Sequence, residues 1–339
     1  MCRSRRYPLK RLLSLGILYA FTGPALGQEA SASDVIGELI REFVAQNTAL
    51  TVVVADSSLI SLGIMDFDPN EFADFGDINV GNDESFALRK SLRTYSLPWS
   101  FEPQKLSANW QTSYGVRISY VGSNQDIIYS EPEYINTFDE ESIIAYGEKD
   151  WLYRLSKGWQ LTFSMSAQYL YYRNHFDYQD PALLALRGFF DGQLLNTSYQ
   201  VWLADPAVSA VYRGKLLGRR FDYKIQYRHA LGHTVNTDSR YQQTGVETGR
   251  LSNTLTFHFD TPEVYGRSTQ VRALMRRIDL TGDAVEPMGT HHYYQFGVGW
   301  LLDTSSPDSW LDSIGIGVSV NAGSNLSGGS VVLLFNEEM

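Results

Sequence analysis

"WQTSYGVRISY", Trp110 to Tyr120, is the stretch on which the fold turns. Trp110, Thr112, Tyr114, Val116, Ile118 and Tyr120 occupy alternate positions, against Gln111, Ser113, Gly115, Arg117 and Ser119. A period of two is that of a β-strand, whose successive side chains point to opposite faces. The same alternation returns in Trp159–Tyr171, Phe221–Tyr227, Leu255–Phe259 and Ile314–Val320. Soluble strands average about five or six residues. The longest of these runs, Trp110–Tyr120 and Trp159–Tyr171, pass ten, which meets the roughly 9–11 residues a tilted strand needs to cross a bilayer. Lipid offers backbone amides no partner, so a spanning sheet must close on itself. The expected fold is all-β: a transmembrane antiparallel β-barrel.

Working outward, twelve strands are expected at about 48–64, 84–101, 109–122, 143–155, 159–173, 197–214, 219–232, 246–260, 267–280, 290–303, 311–323 and 329–336. Their connections alternate between long and short over most of the chain, as in outer-membrane barrels with long external loops and short periplasmic turns. On this plan both chain ends lie in the periplasm. Asp205–Pro206 interrupts the sixth strand and calls for a bulge or kink. "ADSS", Ala55 to Ser58, breaks the first in a similar way. Reading both breaks as hairpins gives fourteen strands. Six of the seven tryptophans, Trp99, Trp110, Trp151, Trp159, Trp300 and Trp310, fall at ends facing short turns. A one-sided aromatic ring is expected at a membrane interface.

Before the strands lies "SDVIGELIREFVAQNT", in which Val35, Ile36, Leu39, Ile40, Phe43 and Val44 recur at helical spacing. One short N-terminal α-helix is therefore expected within 28–47, and the barrel over 48–339. Residues 1–27 read as a secretory signal peptide. Arg3, Arg5, Arg6, Lys10 and Arg11 precede the apolar run Leu12–Phe21, and "TGPALG" follows. Cleavage near Gly27 would remove five basic residues and take the net charge of -10 to -15, and would also remove Cys2, the single cysteine. Disulfides and thiolate metal sites are then excluded. Destination in a Gram-negative outer membrane follows from export combined with a closed membrane sheet. The acidic balance, 38 Asp+Glu against 28 Lys+Arg, excludes nucleic acid as a partner. Expected partners are outer-membrane lipid and lipopolysaccharide, with barrel-assembly machinery and periplasmic chaperones during biogenesis.

"TVVVADSSLISLGIMDFDP", Thr51 to Pro69, and "ESFALRKSLRTYSLPW", Glu84 to Trp99, resemble the family of solitary outer-membrane autotransporter-like β-barrel proteins. The resemblance covers essentially the whole chain after the signal segment. It implies a helix followed by a twelve-stranded barrel, with no secreted passenger and no established activity. The ending departs from the usual barrel pattern, since Asn336, Glu337, Glu338 and Met339 follow Phe335.

Candidate functional residues are those the alternation turns inward: Arg89, Arg117, Arg220, Lys224, Arg228, Arg250, Arg272 and Arg276. Rings of Arg or Lys favour anions in pores. The plainer expectation is a solvated lumen whose arginines pair with Asp222 and with helix acids. Glu38 and Glu42 are the candidate plug residues, and deleting 34–47 is then expected to raise conductance. Catalysis is not expected: no G-x-S-x-G is present, and no cofactor or metal site is indicated. Asp66 and Asp68, with His175 and Asp177, faintly resemble the paired groups of omptin proteases, a remote alternative. A further alternative is a surface adhesin acting through acidic external loops at 65–83, 123–142 and 174–196.

Overall fold

The computed structural model describes residues 32–56, 65–67, 69, 91–305 and 312–335. The signal segment, Arg89, Asp68 and Trp310 lie outside the described residues. A helix, α1 (Ala32–Ala55), is followed by fourteen strand segments that join into one antiparallel sheet. They are β1 (Met65–Phe67), β2 (Leu92–Ser100), β3 (Gln104–Lys105), β4 (Trp110–Ile128), β5 (Ile135–Arg154), β6 (Trp159–Asp177) and β7 (Ser198–Ala204). The series continues with β8 (Ala207–Leu216), β9 (Arg219–Val235), β10 (Gly245–Val264), β11 (Arg267–Gly282), β12 (His292–Asp303), β13 (Ser313–Ala322) and β14 (Gly328–Phe335).

Fourteen segments make twelve lanes. β2 and β3 both pair with β4 on the same side, and β7 and β8 both lie between β6 and β9. Asp205–Pro206 separates β7 from β8, so the proline breaks the ladder without starting a new hairpin. The sheet wraps round to pair β1 with β14, Met65 opposite Val331. That pairing sets the first described strand beside the last, so that β1 and β2 stand at the two ends of the described sheet.

Two expectations are corrected. The segment 48–55, expected to begin the first strand, is the lower third of α1. Thr51, Val52, Val53 and Val54 are β-branched and disfavour a helix locally. Burial overrides that preference, because Val52, Val53, Val54 and Ala55 are enclosed on every side. The expected loop 123–142 is also largely strand, since β4 and β5 pair continuously up to Ile128–Ile135. A hydrogen-bonded ladder does not need an apolar face once it has left lipid. At about 3.4 Å per residue, a 19-residue strand such as β4 is about 65 Å long. Tilted by about 40°, it rises far above an apolar band about 25 Å tall.

The faces show where lipid ends. On the outer face, Trp99, Val116, Ile118, Phe163, Met165, Ile225, Met275, Val298 and Ile316 are exposed large hydrophobics. Higher up, the outward columns turn polar: Asn124 and Asp126 on β4, Glu141 and Asp139 on β5, Arg173 and His175 on β6. Trp110 and Trp159 sit at the short-turn end, their rings tilted against Tyr153 and Tyr212 with centroids 4.8 and 5.0 Å apart. Asn253, on the lipid face, accepts a hydrogen bond from Tyr223 at 2.9 Å, which satisfies its carbonyl there.

At the external end, residues 178–197 form a packed cap. Leu183, Phe190, Leu194 and Leu195 join one buried cluster with Phe138 and Phe176 of the wall. Asp180 anchors this cap, accepting from Ser130 N (2.9 Å), Ser130 Oγ (2.6 Å) and Ala182 N (2.8 Å). Burial alone would raise its carboxyl pKa. The Ser130 and backbone donors outweigh burial and hold it below the ordinary range.

Candidate functional site in the barrel lumen

The inner face changes character with height in the opposite sense. Ser166 and Gln168 of β6 give way to Leu170 and Tyr172; Arg228 of β9 gives way to Ala230; Arg276 of β11 gives way to Ile278 and Leu280. The upper lumen is apolar, and α1 fills it. Ile40, Phe43, Val44, Ala49, Val52 and Val53 form a continuous buried cluster with Ile144, Leu170, Tyr172, Tyr199, Val246 and Tyr293 of the wall. The helix therefore lies inside the barrel.

Its direction is fixed by its contacts. Gly37, near the start, packs so closely on the ring of Tyr241 that a Cβ there would lie 2.5 Å from it. Tyr241 belongs to the connection between β9 and β10, at the long-loop end. Lower down, Asn47 donates to Glu140 (3.2 Å) and Thr48 to Tyr199 (3.4 Å). At the helix end, Ser96 Oγ donates to the Ala55 carbonyl at 3.2 Å, and Asp56 meets Arg117 at 3.6 Å. The described chain thus begins at the external mouth and descends, which corrects the expectation that both ends lie in the periplasm for as far as the described residues reach. Alternation identifies the face of a strand, but it says nothing about how a preceding helix is threaded.

The expected plug pairs are corrected as well. Glu38 and Glu42 lie on the exposed side of α1, one turn apart, and Glu42 accepts from Gln46 at 2.9 Å. Both stand above the charged part of the wall. From the helix side, Asp56, 4% exposed and just past the helix end, meets the lumen residue Arg117. A carboxylate is unfavourable beside the partial negative charge of a helix C-terminus, and the Arg117 guanidinium offsets it.

Beneath the helix is a layer of buried charge. Asp205, turned inward at the break between β7 and β8, is 1% exposed. Both its oxygens accept from Arg250 Nη2 at 2.6 Å; one also accepts from Gln168 Nε2 (2.9 Å) and Arg228 Nε (3.2 Å). Arg228 reaches Glu148 at 2.6 Å and also donates to the Tyr146 hydroxyl. The Arg117 guanidinium lies over the Tyr146 ring, 4.5 Å from its centroid. Arg276 donates to Thr254 (3.0 Å) and Gln295 (2.8 Å). Lys224 shares this inward column of β9, with Thr254 opposite it on β10. Arg272 lies opposite His258, whose ring nitrogens contact Gln270 and Asp222, each at 2.9 Å. Asp222 thus meets the His258 ring, with Arg213 opposite it on β8. Arg220 sits at the lower rim, exposed, and pairs with Asp260 at 2.9 Å.

The structure thus gathers Arg117, Arg228 and Arg250 around acids, while Arg276 donates to Thr254 and Gln295. Sequence reasoning missed the acids that matter: Asp56, Glu148 and Asp205. A signal existed for Asp205, an acid preceding a proline in mid-strand. For Asp56 there was none, since its strand assignment hid the end of the helix. Chemically Arg117, Arg228 and Arg250 with their acids form buried ion pairs, a rigid arrangement, and Lys224 and Arg276 stand beside them as further cations. Among the described residues no group of three His, Cys, Asp or Glu side chains is placed to hold a metal. His175 and Asp177 point outward from β6, away from the mouth, and Asp66 lies in β1 opposite Ser330.

The model of the solitary outer membrane autotransporter beta-barrel domain matches residues 45–337. Among solved structures, the chain is similar to the beta domain of the Bordetella autotransporter Brka, with 12% identity and a TM-score of 0.40 over 72% of this chain and 86% of that one. It is also similar to the transport unit of the autotransporter AIDA-I from Escherichia coli, with 12% identity and a TM-score of 0.46 over 85% of this chain and 96% of that one. No curated protein sequence matches it.

Proposed function

The chain belongs to the solitary outer membrane autotransporter beta-barrel family, an outer-membrane β-barrel of the translocator type, and from that premise we propose that it works as a plugged barrel without catalysis. One observation carries the reading: α1 fills the upper lumen, with Val53 fully buried and Asp56 tied to Arg117. A closed pore with an internal ion-pair layer serves as a membrane scaffold, conducting only when the helix is displaced. Export with cleavage near Gly27, and insertion by barrel-assembly machinery with periplasmic chaperones, complete the proposal.

Planar-bilayer recording tests it. The purified full chain is expected to be nearly silent, and a variant lacking residues 34–55 to show sustained current. Equal currents from the two folded proteins would overturn the plug.

A second reading, surface binding, is favoured by the tip of the β4–β5 hairpin. There Ile128 and Ile135 face each other across the ladder, both exposed well above the lipid band. Replacing residues 129–134 with a Gly-Ser turn, followed by a cell-adhesion assay, separates the two readings. Adhesion that depends on the tip, together with silent bilayers for both pore variants, supports the second.

A further inference from the structure

On the outer face, at the level where the apolar columns of β4, β5 and β6 end, lies a groove of about 610 Å³. Its floor is Gly122, where a Cβ would lie 2.7 Å from the Tyr120 hydroxyl. The missing side chain lets the Tyr120 ring lie back over Gly122, and that ring forms the lower edge of the groove. Below it the outward residues are Ile118 on β4, Ile143 on β5 and Tyr171 on β6, so the groove stands at the headgroup layer.

Its walls carry both signs of charge. Arg93 of β2, opposite Gly122, is exposed, and among the described residues it makes no ion pair. Arg173 of β6 is 61% exposed and meets Glu141 at 2.5 Å. Beside them, Asp139 of β5 accepts from Asn124 of β4. From this arrangement we infer that the groove binds a phosphorylated lipid headgroup of the outer leaflet together with a divalent cation. Arg93 and Arg173 take the phosphate; Asp139 and Glu141 face the cation that the phosphate brings. Two guanidiniums present forked donors suited to phosphate oxygens. Two carboxylates beside them would repel a bare anion, and a bridging cation removes that conflict. The protein alone holds no cluster able to coordinate a metal among its described residues, so the cation shares its ligands with the phosphate. The matching height on the far wall differs in kind. There Arg277 is closed on Asp279 at 2.7 Å, whereas beside the Arg173–Glu141 pair stands Arg93, which makes no ion pair among the described residues.

Native mass spectrometry of the purified full chain in detergent tests the inference. The probes are bis-phosphorylated lipid A, the same lipid enzymatically dephosphorylated, and inorganic phosphate, each with magnesium or with EDTA. Retention of bis-phosphorylated lipid A is expected to fall at least tenfold in the Arg93→Gln/Arg173→Gln double variant, on dephosphorylation, and in EDTA. Gly122→Leu, which pushes the Tyr120 ring out into the groove but keeps every charge, is expected to do the same, while Arg277→Gln is expected to leave retention unchanged. Heat-modifiable gel mobility verifies that each variant is folded. Undiminished retention by the folded double variant or by Gly122→Leu overturns the site. Undiminished retention in EDTA overturns the cation, and binding of inorganic phosphate without lipid A overturns the lipid headgroup as its source.

Discussion

Asp205→Ala is the substitution through which the lumen layer is most exposed to test. The carboxylate is the partner that closes on Arg250, whose side chain is 1% exposed, and it shares Arg228 with Glu148. Removing it leaves Arg250 buried opposite an empty position, while Arg228 keeps Glu148. Breaking a buried pair by deleting one member costs about 3–5 kcal/mol, most of it the penalty of an uncompensated charge. The retained Glu148–Arg228 contact places the expected loss at about 3 kcal/mol, the lower end of that range. Urea titration of the protein refolded in short-chain lipid vesicles, followed by tryptophan emission and gel mobility, measures it. Arg250→Met in the same background removes the orphaned charge, so the double variant is expected to regain at least about 1.5 kcal/mol, as contacting charged residues couple. A loss below about 1 kcal/mol, or additive effects of the two substitutions, would refute the account of Asp205 as the keystone of the layer.

Three other outcomes are expected. Val53→Asp places a carboxylate at a fully buried position of α1 and is expected to raise single-channel current while gel mobility stays that of a folded barrel. The lowered Asp180 pKa means its stabilising contribution is present above the ordinary carboxylate pKa and lost as pH falls through the lowered value. Hydrogen exchange in residues 178–197 should therefore stay slow at pH 5 and accelerate only below about pH 4, with Asp180→Ala fast at both. Gly315→Ala would set a Cβ 2.2 Å from the Trp300 carbonyl oxygen, so β12 and β13 must separate locally. A lower urea midpoint and slower folding into vesicles are expected, and an unchanged midpoint would mean that the ladder absorbs the clash.

The legible part of the fold was the part bathed in lipid. Between Trp110 and Tyr120, or Trp159 and Tyr171, one face must be apolar and the other need not be, so the period of two is plain. Above the membrane that constraint lapses, and β4–β5 continue through "SNQDII" and "INTFDEES" as ladders without a lipid face to mark them. The last two turns of the helix were misread for the converse reason. "TVVVA" is enclosed all round, so it shows no amphipathic stripe and its β-branched residues read as strand. Of the candidate site, the arginines were found because they fall on the polar phase of spanning strands. Their acids were missed because Asp205 sits at a break and Asp56 at a helix end, where no alternation is defined.

The opposed gradients on the two faces of the wall make this barrel two proteins stacked on one ladder. In the lower storey lipid solvates the apolar exterior, and the cohesion of the wall depends on the thickness and chemistry of the bilayer. In the upper storey the apolar side chains point inward around α1, as in a water-soluble domain, and water exclusion is what holds them there. The two storeys therefore answer to different solvents. Thinning the bilayer should strain the lower one and leave the upper one intact. Chaotropes should loosen the upper first, uncoupling the helix from its seat while the ring of strands below still spans the membrane.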